Sequence, residues 1–297
     1  MNGVLNILKP PHMTSHDVVA VARGVLRIKK IGHTGTLDPM AAGVLPICIG
    51  KATKLVNYLV EDQKVYRCEM TLGASTNTQD RWGQVLEEKP VTVSREEIDL
   101  TIQSFIGDIW QVPPMFSALK VKGQKLVDLA RQGVEVEREP RLRTIYDIQV
   151  HSIEGNMVWM DITCAKGTYI RTLCHDIGQR LGCGAHMSFL LRTKTGSFKL
   201  ENTITVEQLK AHKEASVVPH LVDMGSAVGE WSQIDVPEHI AARICNGIKL
   251  DLATWLKEEP LKGARYRVYS KGAFLGIAQC HEKAYPEIRM EKLLLNR

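Results

Sequence analysis

Residues 31–50, IGHTGTLDPMAAGVLPICIG, decide how the rest of this chain is interpreted. Four glycines in this stretch permit backbone conformations that residues with a Cβ atom resist. Between them lies one carboxylate, Asp38, which is restricted to extended geometry because Pro39 follows it. His33 and Thr34 lie just before the acid. Unpaired loop backbone is costly to bury, so we expect a glycine-hinged surface loop that presents an acid and an imidazole, which is typical of an active site.

Three other interpretations of this stretch compete. Asp-Pro dipeptides commonly begin ordinary turns, and the residues alone leave that possibility open. A phosphate-binding loop is excluded by spacing, because six residues separate Gly43 from Gly50 where that motif has four. Ala52 also follows Lys51 at the position where Ser or Thr would bind Mg²⁺. A metal site is disfavoured because one loop carboxylate and one histidine are too few ligands.

The composition is that of an ordinary globular protein. A length of 297 residues predicts one large domain or two ordinary ones. Apolar residues make up 44% of the chain and charged residues 24%, which is typical of soluble proteins. The formal net charge of +5 is compatible with a polyanionic partner without requiring one.

Several features indicate a cytoplasmic protein. No apolar run reaches the length of about 18 residues that a membrane span needs. The beginning of the chain, MNGVLNILKPP, lacks the charged-then-apolar pattern of a signal peptide. The seven cysteines form no C-x-x-C pair, which favours reduced thiols over a disulfide framework.

Hydrophobic periodicity and end signals predict most of the secondary structure. The predicted strands are residues 4–8, 64–72, 146–150, 157–164, 265–269, 274–280 and 289–295. The predicted helices are residues 15–26, a short one within 52–59, one from about 95 to Gly107, 170–181 before Gly182, and 238–246 before Gly247. Residues 75–83 are expected to form a loop, and the polar stretch DMGSAVGE at 223–230 to be a linker.

Three side chains have an ordinary interpretation when each is considered alone. Tyr66 alternates with apolar residues on one face of its strand, which predicts a core tyrosine. Lys9 is expected to be a solvated charge, and an isolated arginine such as Arg171 is most often one too. However, Arg171 lies in the first turn of its helix, where the helix dipole disfavours a cation and an anion would compensate it.

Two clusters of side chains remain ambiguous. Cys174, His175, Cys183 and His186 could be considered as zinc ligands, but the spacing and the place of Cys174 on an apolar helix stripe favour core thiols. Earlier in the chain, a series of basic residues lies in a turn-rich region. This series could close over a phosphate backbone or form a solvated surface. Its members are Lys120, Lys122, Lys125, Arg138, Arg141 and Arg143.

Several motifs together resemble one family. GHTGTLDP followed by GVLP resembles the catalytic motif of the TruB family of tRNA pseudouridine synthases. LKPPHMTSHDVV, KVYRCEMTLG, TNTQDRWG and the segment beginning AKGTYIRT are similar to further motifs of that family, so the resemblance covers nearly the whole chain. It implies an α+β pseudouridine-synthase fold in residues 1–228, with a mixed, largely antiparallel central sheet flanked by helices. Residues 229–297 would then form a small, β-rich, PUA-like RNA-binding domain.

The same resemblance implies an activity and a partner. Members of the bacterial type isomerise uridine 55 in the T-loop of tRNA, so the expected partner is the T-arm of tRNA. The target base is flipped out of its stack, its C1′–N1 bond is cleaved, and C5 is joined to C1′. This chemistry implies no cofactor and no metal, and the sequence indicates no obligatory protein partner.

Site residues follow from the resemblance motif by motif. Asp38 would be the essential carboxylate, and Arg171 would pair with it through its planar, bidentate fork. The resemblance leaves open whether Asp38 attacks C1′ or removes a ribose proton. Tyr66 would be the third catalytic residue, and it would also bind the substrate by stacking on the target base. The other substrate contacts would be His33, which fills the vacated space, and Tyr169 and Leu190, which touch the flipped nucleotide. The competing class is a non-catalytic RNA-binding protein on the same scaffold, which would not need Asp38.

Overall fold

The computed structural model describes residues 1–60, 63–121, 123–211, 219–281 and 286–295. Lys122 of the predicted basic series lies outside the described residues. In the described part of the chain the helices are α1 (Ser15–Leu26), α2 (Val56–Leu59), α3 (Arg95–Gln103), α4 (Leu126–Arg131), α5 (Ile170–Leu181), α6 (Val206–Ala211), α7 (Met224–Ala227) and α8 (Glu238–Cys245). The strands are β1 (Gly3–Lys9), β2 (Ile31–His33), β3 (Ala42–Ile49), β4 (Lys64–Leu72), β5 (Ala74–Thr76), β6 (Val85–Glu88), β7 (Gly107–Gln111), β8 (Lys120–Val121), β9 (Gln124–Lys125), β10 (Arg141–Glu154), β11 (Met157–Cys164), β12 (Ala185–Thr195), β13 (Phe198–Lys199), β14 (Ile204–Thr205), β15 (Leu221–Val222), β16 (Gln233–Asp235), β17 (Arg265–Ser270), β18 (Ala273–His281) and β19 (Glu287–Leu293).

One large sheet organises the first three quarters of the chain. Its main path runs β14-β1-β3-β12-β4-β11-β10-β7, with β2, β13 and β15 attached at its sides. Two of its strand pairs, β1 with β14 and β3 with β12, are parallel. The neighbours β1–β3, β4–β12, β4–β11, β10–β11 and β7–β10 are antiparallel. The predicted mixed, largely antiparallel sheet is therefore confirmed.

Helices cover the sheet because their apolar stripes need a partner. Helix α1, which the sequence predicts over residues 15–26, starts at a capping box in which Thr14 and Asp17 bond each other's backbone. It packs on β1 and β3. Helix α5 ends at Gly182, whose φ of 79° is left-handed, and it packs with α3 on the face of β4 that carries Tyr66. The predicted α+β architecture is confirmed.

A second, four-stranded sheet forms near the end of the chain. Its order is β16-β17-β18-β19, and helix α8 packs on it. A turn at Lys271 and Gly272, both with positive φ, joins β17 to β18. The predicted linker is wrong in part, because residues 224–227 form helix α7, capped by Asp223. The division of the chain at residues 228 and 229 stays a prediction.

Three other local predictions are wrong. The stretch after residue 41 is not loop but strand β3, which is buried almost throughout because β1, β2 and β12 pair its backbone. Helix α3 ends at Gln103 and not at Gly107 as predicted. Gly107 has a φ of 107°, which no helical residue adopts, and it begins β7. Arg141 and Arg143 lie in strand β10, which starts earlier than predicted, and not in a turn-rich region.

None of the helices in the described ranges has both the length and the apolarity that a membrane crossing requires.

Candidate active site

The acid projects from a loop that is fixed at both ends. The amide of Ala41 donates to the carbonyl of Asp38 over 3.1 Å, which closes a turn with Pro39 in its second position. Just before the turn, the Ser15 hydroxyl accepts from the amide of Leu37 at 2.9 Å. Leu37 itself is inserted into the core. Asp38 thus does lie in an Asp-Pro turn, but the loop around it is anchored, and 40% of its side chain is exposed.

Arg171 meets this acid from a distant element. Its side chain is 4% exposed, and its Nε lies 3.2 Å from Oδ2 of Asp38. Its Nη1 donates to the carbonyl of Thr78 at 3.4 Å, and its Nη2 donates to the carbonyl of Phe116 at 2.8 Å. The expected bidentate fork is wrong, because backbone carbonyls occupy both terminal nitrogens. The interpretation of Arg171 as a surface charge is also wrong, since the first turn of α5 is buried.

Tyr66 and Leu190 form an apolar floor next to the acid. They lie on the neighbouring strands β4 and β12, and they are 8% and 7% exposed. Both belong to the same core cluster as Leu37 and Ala41, the residues on either side of Asp38 and its turn. Burial raises the pKa of the Tyr66 hydroxyl. The core interpretation of Tyr66 is confirmed, and its position beside the loop also suits contact with a base.

Arg192 is a central residue of this site that the sequence analysis does not single out. It is 1% exposed, and its register partner on β4 is Tyr66. Its Nε donates to the carbonyl of Val44 at 2.8 Å, and its Nη2 donates to that of Gly35 at 3.2 Å. One guanidinium therefore joins the two limbs of the loop from the strand position opposite Tyr66. An arginine directly after two leucines is the available sequence signal.

Close approach of the backbone explains one glycine of the loop. Gly43 has a φ of 122°, and a Cβ atom there would lie 2.2 Å from the carbonyl oxygen of Arg192. Because that oxygen belongs to the backbone, it cannot move aside. Any larger residue at position 43 would separate β3 from β12 and displace Arg192.

His33 is a neutral imidazole at the rim of the site. Its Nδ1 accepts from the amide of Gly35 at 3.3 Å, so this nitrogen carries no proton. Its ring meets the ring of His16 edge to face, with centroids 5.2 Å apart. Burial, followed by the charges of His16 and Arg192, lowers the pKa of His33 to about 4.

Lys9 is fully buried below the loop, so its interpretation as a solvated charge is wrong. Its Nζ donates to the carbonyls of Pro10 at 2.8 Å, Met13 at 2.6 Å and Pro39 at 3.1 Å. Burial lowers its pKa to about 8, although the nearby Asp38 acts in the opposite direction. These three carbonyls compensate for lost water, and the bond to Pro39 ties the chain next to Asp38 to the core.

Tyr169 lies directly before helix α5. The side-chain amide of Gln111 holds its backbone, since Oε1 accepts from the Tyr169 amide at 2.8 Å and Nε2 donates to the Tyr169 carbonyl at 3.0 Å. The ring of Tyr169 lies 5.6 Å from Cζ of Arg171. The structure therefore places three pairs of predicted site residues side by side. They are Asp38–Arg171, Arg171–Tyr169 and Tyr66–Leu190.

The cysteines near α5 belong to the core. Cys174 and Cys183 are buried in the cluster that contains Tyr66, and Cys174 Sγ lies 3.5 Å from Cys68 Sγ. Across the described ranges, no three histidine, cysteine, aspartate or glutamate side chains lie close enough together to hold a metal ion. The interpretation of these two cysteines as core thiols is confirmed.

Chemically, the site consists of one accessible acid above three buried cations. Lys9, Arg171 and Arg192 all lie under or beside the loop, while Asp38 faces solvent. A cation next to a carboxylate favours its ionised form. The apolar floor beside it suits a flat ring. Such a site can hold the flat ring of a substrate on the apolar floor while the Asp38 carboxylate contacts a polar part of the same substrate.

Two family models match the chain one after the other. The TruB family pseudouridylate synthase N-terminal domain matches residues 23–170, and the tRNA pseudouridylate synthase B C-terminal domain matches residues 171–229. Among curated proteins, the chain is 47% identical to tRNA pseudouridine synthase B of Alkaliphilus oremlandii, with 100% of both chains covered. It is 46% identical to the protein of the same name from Clostridium perfringens, with 99% of both covered.

Solved structures with the same fold are more distant in sequence. A structure of an H/ACA RNP bound to a substrate RNA containing 2′-deoxyuridine aligns with a TM-score of 0.76 and 28% identity, covering 99% of this chain and 86% of that one. A Cbf5–Nop10–Gar1 complex aligns with a TM-score of 0.75 and 30% identity, covering 99% and 85%. The family matches run through the Asp38 loop and the start of α5, and the chain belongs to the TruB family of pseudouridylate synthases.

Proposed function

We propose that this protein isomerises uridine to pseudouridine at position 55 in the T-loop of tRNA, with Asp38 as the essential carboxylate. The observation that carries the proposal is the Asp38–Arg171 pair, in which an exposed acid is held at 3.2 Å by a buried guanidinium. The curated relatives are named tRNA pseudouridine synthase B, which supports tRNA as the substrate.

The geometry suggests how the residues divide the work. The target uridine leaves its stack, at a cost of a few kcal/mol, and its uracil lies against Tyr66 and Leu190. Tyr169 contacts the same nucleotide from the start of α5, and neutral His33 fills the space that the base vacates. Base contact at an apolar, aromatic floor is the usual way in which proteins bind an unpaired nucleotide.

Asp38 acts at the sugar. It either attacks C1′ or removes a ribose proton, and both steps need the ionised form. The guanidinium of Arg171 is held in place because Nη1 and Nη2 are tied to backbone carbonyls, and its Nε lies 3.2 Å from Oδ2 of Asp38. The C1′–N1 bond breaks and a C1′–C5 bond forms. C5 then loses its proton, and the freed N1 carries one in the product. The product is an isomer, so this chemistry consumes no oxidant or group donor.

The remaining parts of the proposal concern organisation. Residues 1–228 would carry the reaction, and residues 229–297 would form a PUA-like domain that adds RNA contacts. The T-arm of tRNA would be the partner, without an obligatory protein subunit. A cytoplasmic location is part of the proposal, and the curated relatives, tRNA pseudouridine synthases B of bacteria, support it.

A position-specific assay tests this proposal. Unmodified tRNA transcribed in vitro would be incubated with the protein, and pseudouridine would be mapped by carbodiimide-directed primer extension. We expect product at uridine 55, and no product in a matched transcript that carries cytidine there. Product at another uridine would contradict the assigned position, and RNA binding without any product would favour the non-catalytic class.

A further inference from the structure

The loop between β5 and β6 is a preformed element. The amide of Asn77 donates to the carbonyl of Gln84 at 3.1 Å, and the amide of Gln84 returns a bond to Oδ1 of Asn77 at 2.9 Å. The Thr78 hydroxyl donates to Oδ1 of Asp80 at 2.6 Å. Gly83 closes the loop because a Cβ atom there would lie 2.3 Å from Oγ1 of Thr78. A loop with this many internal bonds has little ordering entropy left to lose on binding.

This loop is attached directly to the candidate active site. Its Thr78 carbonyl accepts from Nη1 of Arg171, the residue that faces Asp38. The neighbouring Thr172 hydroxyl donates to Oε1 of Gln79 at 2.6 Å. On the other side, the Met187 amide donates to the Gln79 carbonyl at 3.1 Å, so β12 also holds the loop. What the loop presents is therefore fixed in position relative to the acid.

At its tip the loop presents an arginine and a tryptophan to solvent. Trp82 is 46% exposed, and the guanidinium carbon of Arg81 lies 6.0 Å from the centre of its ring. The backbone amide of Trp82 donates to Oδ1 of Asp80 at 3.1 Å, and the amide of Arg81 donates to the carbonyl of Met187 at 2.9 Å. Both residues thus have an anchored backbone, and their exposed side chains lie next to each other.

An aromatic ring beside a guanidinium matches the chemistry of an unpaired nucleotide. Each base has a flat face that stacks on an aromatic side chain, and each nucleotide brings a phosphate that an arginine can contact. A purely apolar protein partner would not need the arginine. A duplex would hide the base faces, so the matching ligand is a single-stranded or loop nucleotide.

We infer that Arg81 and Trp82 form a nucleotide subsite beside the reaction centre, in which Trp82 stacks on an unpaired base that flanks the target uridine and Arg81 contacts its phosphate. This inference rests on the proposed function, because the RNA that would occupy the subsite is the substrate proposed there. It adds a specificity-determining contact that none of the predicted site residues supplies.

Trp110 offers a matched control. It is 69% exposed, more than Trp82, but it lies on strand β7 at one end of the sheet, opposite Leu142 of β10. Its loss removes a comparable exposed ring away from the tethered loop. An effect of Trp82→Ala that Trp110→Ala lacks cannot arise from the general loss of an exposed indole.

The test measures affinity for a T-arm stem–loop RNA by fluorescence anisotropy, with each variant placed in the Asp38→Asn background so that the RNA stays unmodified. We expect Trp82→Ala to raise Kd roughly 10-fold, the scale of one lost base stack. Trp82→Phe should stay within about threefold of the parent protein because a ring is retained. Trp110→Ala should bind like the parent, and Arg81→Gln should lower the slope of log Kd against log salt concentration by about one.

A second arm identifies the base. Stem–loops that each lack one base of the loop would be bound to the parent and to Trp82→Ala, and at one flanking position the two losses should not add. Unchanged affinity of Trp82→Ala, or additive losses at every position, would overturn the inference. Wild-type protein would be assayed for pseudouridine in parallel. Turnover with an unaffected Trp82→Ala overturns only the subsite, whereas no turnover overturns the proposed function and the subsite together.

Discussion

Asp38 and Arg171 are 3.2 Å apart, yet the acid is 40% exposed and the guanidinium only 4%. This asymmetry separates two requirements of the site. In the proposed reaction the carboxylate has to reach its substrate from solvent, while the cation paired with it has to stay in place. Arg171 stays in place because the carbonyls of Thr78 and Phe116 fix both terminal nitrogens.

The first prediction concerns the shape of that cation. Arg171→Lys retains the charge but cannot reach Asp38, Thr78 and Phe116 at once, so we expect turnover to fall by at least about 10-fold, the scale of one lost charged hydrogen bond. The Kd for tRNA should change less than about threefold, since Arg171 faces the acid. Arg171→Ala should lose more turnover, again with binding largely kept. The measurements are single-turnover rates and RNA affinity, with the exposed Arg180→Ala on the same helix as control. Equal losses of rate and affinity would instead indicate that Arg171 contacts a phosphate.

The second prediction separates the two roles of Tyr66. Tyr66→Phe removes only the hydroxyl. Because the ring that would stack on the base is kept, the variant should retain much of its turnover. Arg192→Met leaves the carbonyls of Val44 and Gly35 without this donor, and it should reduce the free energy of unfolding by roughly 2 to 4 kcal/mol. Urea denaturation and turnover would be measured on both variants. Complete inactivity of a stably folded Tyr66→Phe would show that the hydroxyl takes part in the chemistry.

The third prediction uses the pKa of His33, which lies near 4 in the folded protein. An unfolded histidine titrates near 6.5, so between these values the unfolded state binds a proton that the folded state does not. The free energy of unfolding should therefore fall as the pH drops from about 6.5 towards 4. In His33→Asn this part of the pH dependence should be absent.

The check on His33 is an NMR titration, with its resonance assigned by comparison with His33→Asn. A midpoint near pH 4 is expected, and RNA affinity should not change through His33 between pH 6 and pH 8. A midpoint at or above 6.5 would contradict the neutral imidazole that accepts a hydrogen bond from the Gly35 amide.

Local signals in the sequence account for much of the fold. The capping box at Thr14 and Asp17, the alternation in residues 64–72 and the apolar stripe of α5 each predict an element whose bounds the structure reproduces. These signals succeed because each is read within one element. The pairing of Asp38 with Arg171 came from family resemblance, as no periodicity relates a loop to a distant helix.

The failures share a cause, which is that the deciding contacts are long-range. Strand β12 escapes detection because register shifts after Met187 and Arg192 break its alternation. Without β12, nothing in the sequence indicates that Arg192 lies under the loop. Lys9 also looks like a surface charge in the sequence. Two of its carbonyl partners, Pro10 and Met13, are local, and the third, Pro39, comes from the distant loop that covers it. Buried cations of this kind depend on partners that sequence spacing does not reveal.

The central claim, that Asp38 is the reacting group, is tested most directly by Asp38→Asn. This change keeps the size and polarity of the side chain and removes its charge and its nucleophilicity. Pseudouridine formation on unmodified tRNA would be measured under single-turnover conditions, together with Kd for the same RNA. We expect the variant to bind RNA nearly as tightly as the wild type and to form no detectable product. Pseudouridine formed by pure Asp38→Asn protein at a rate near that of the wild type would contradict it.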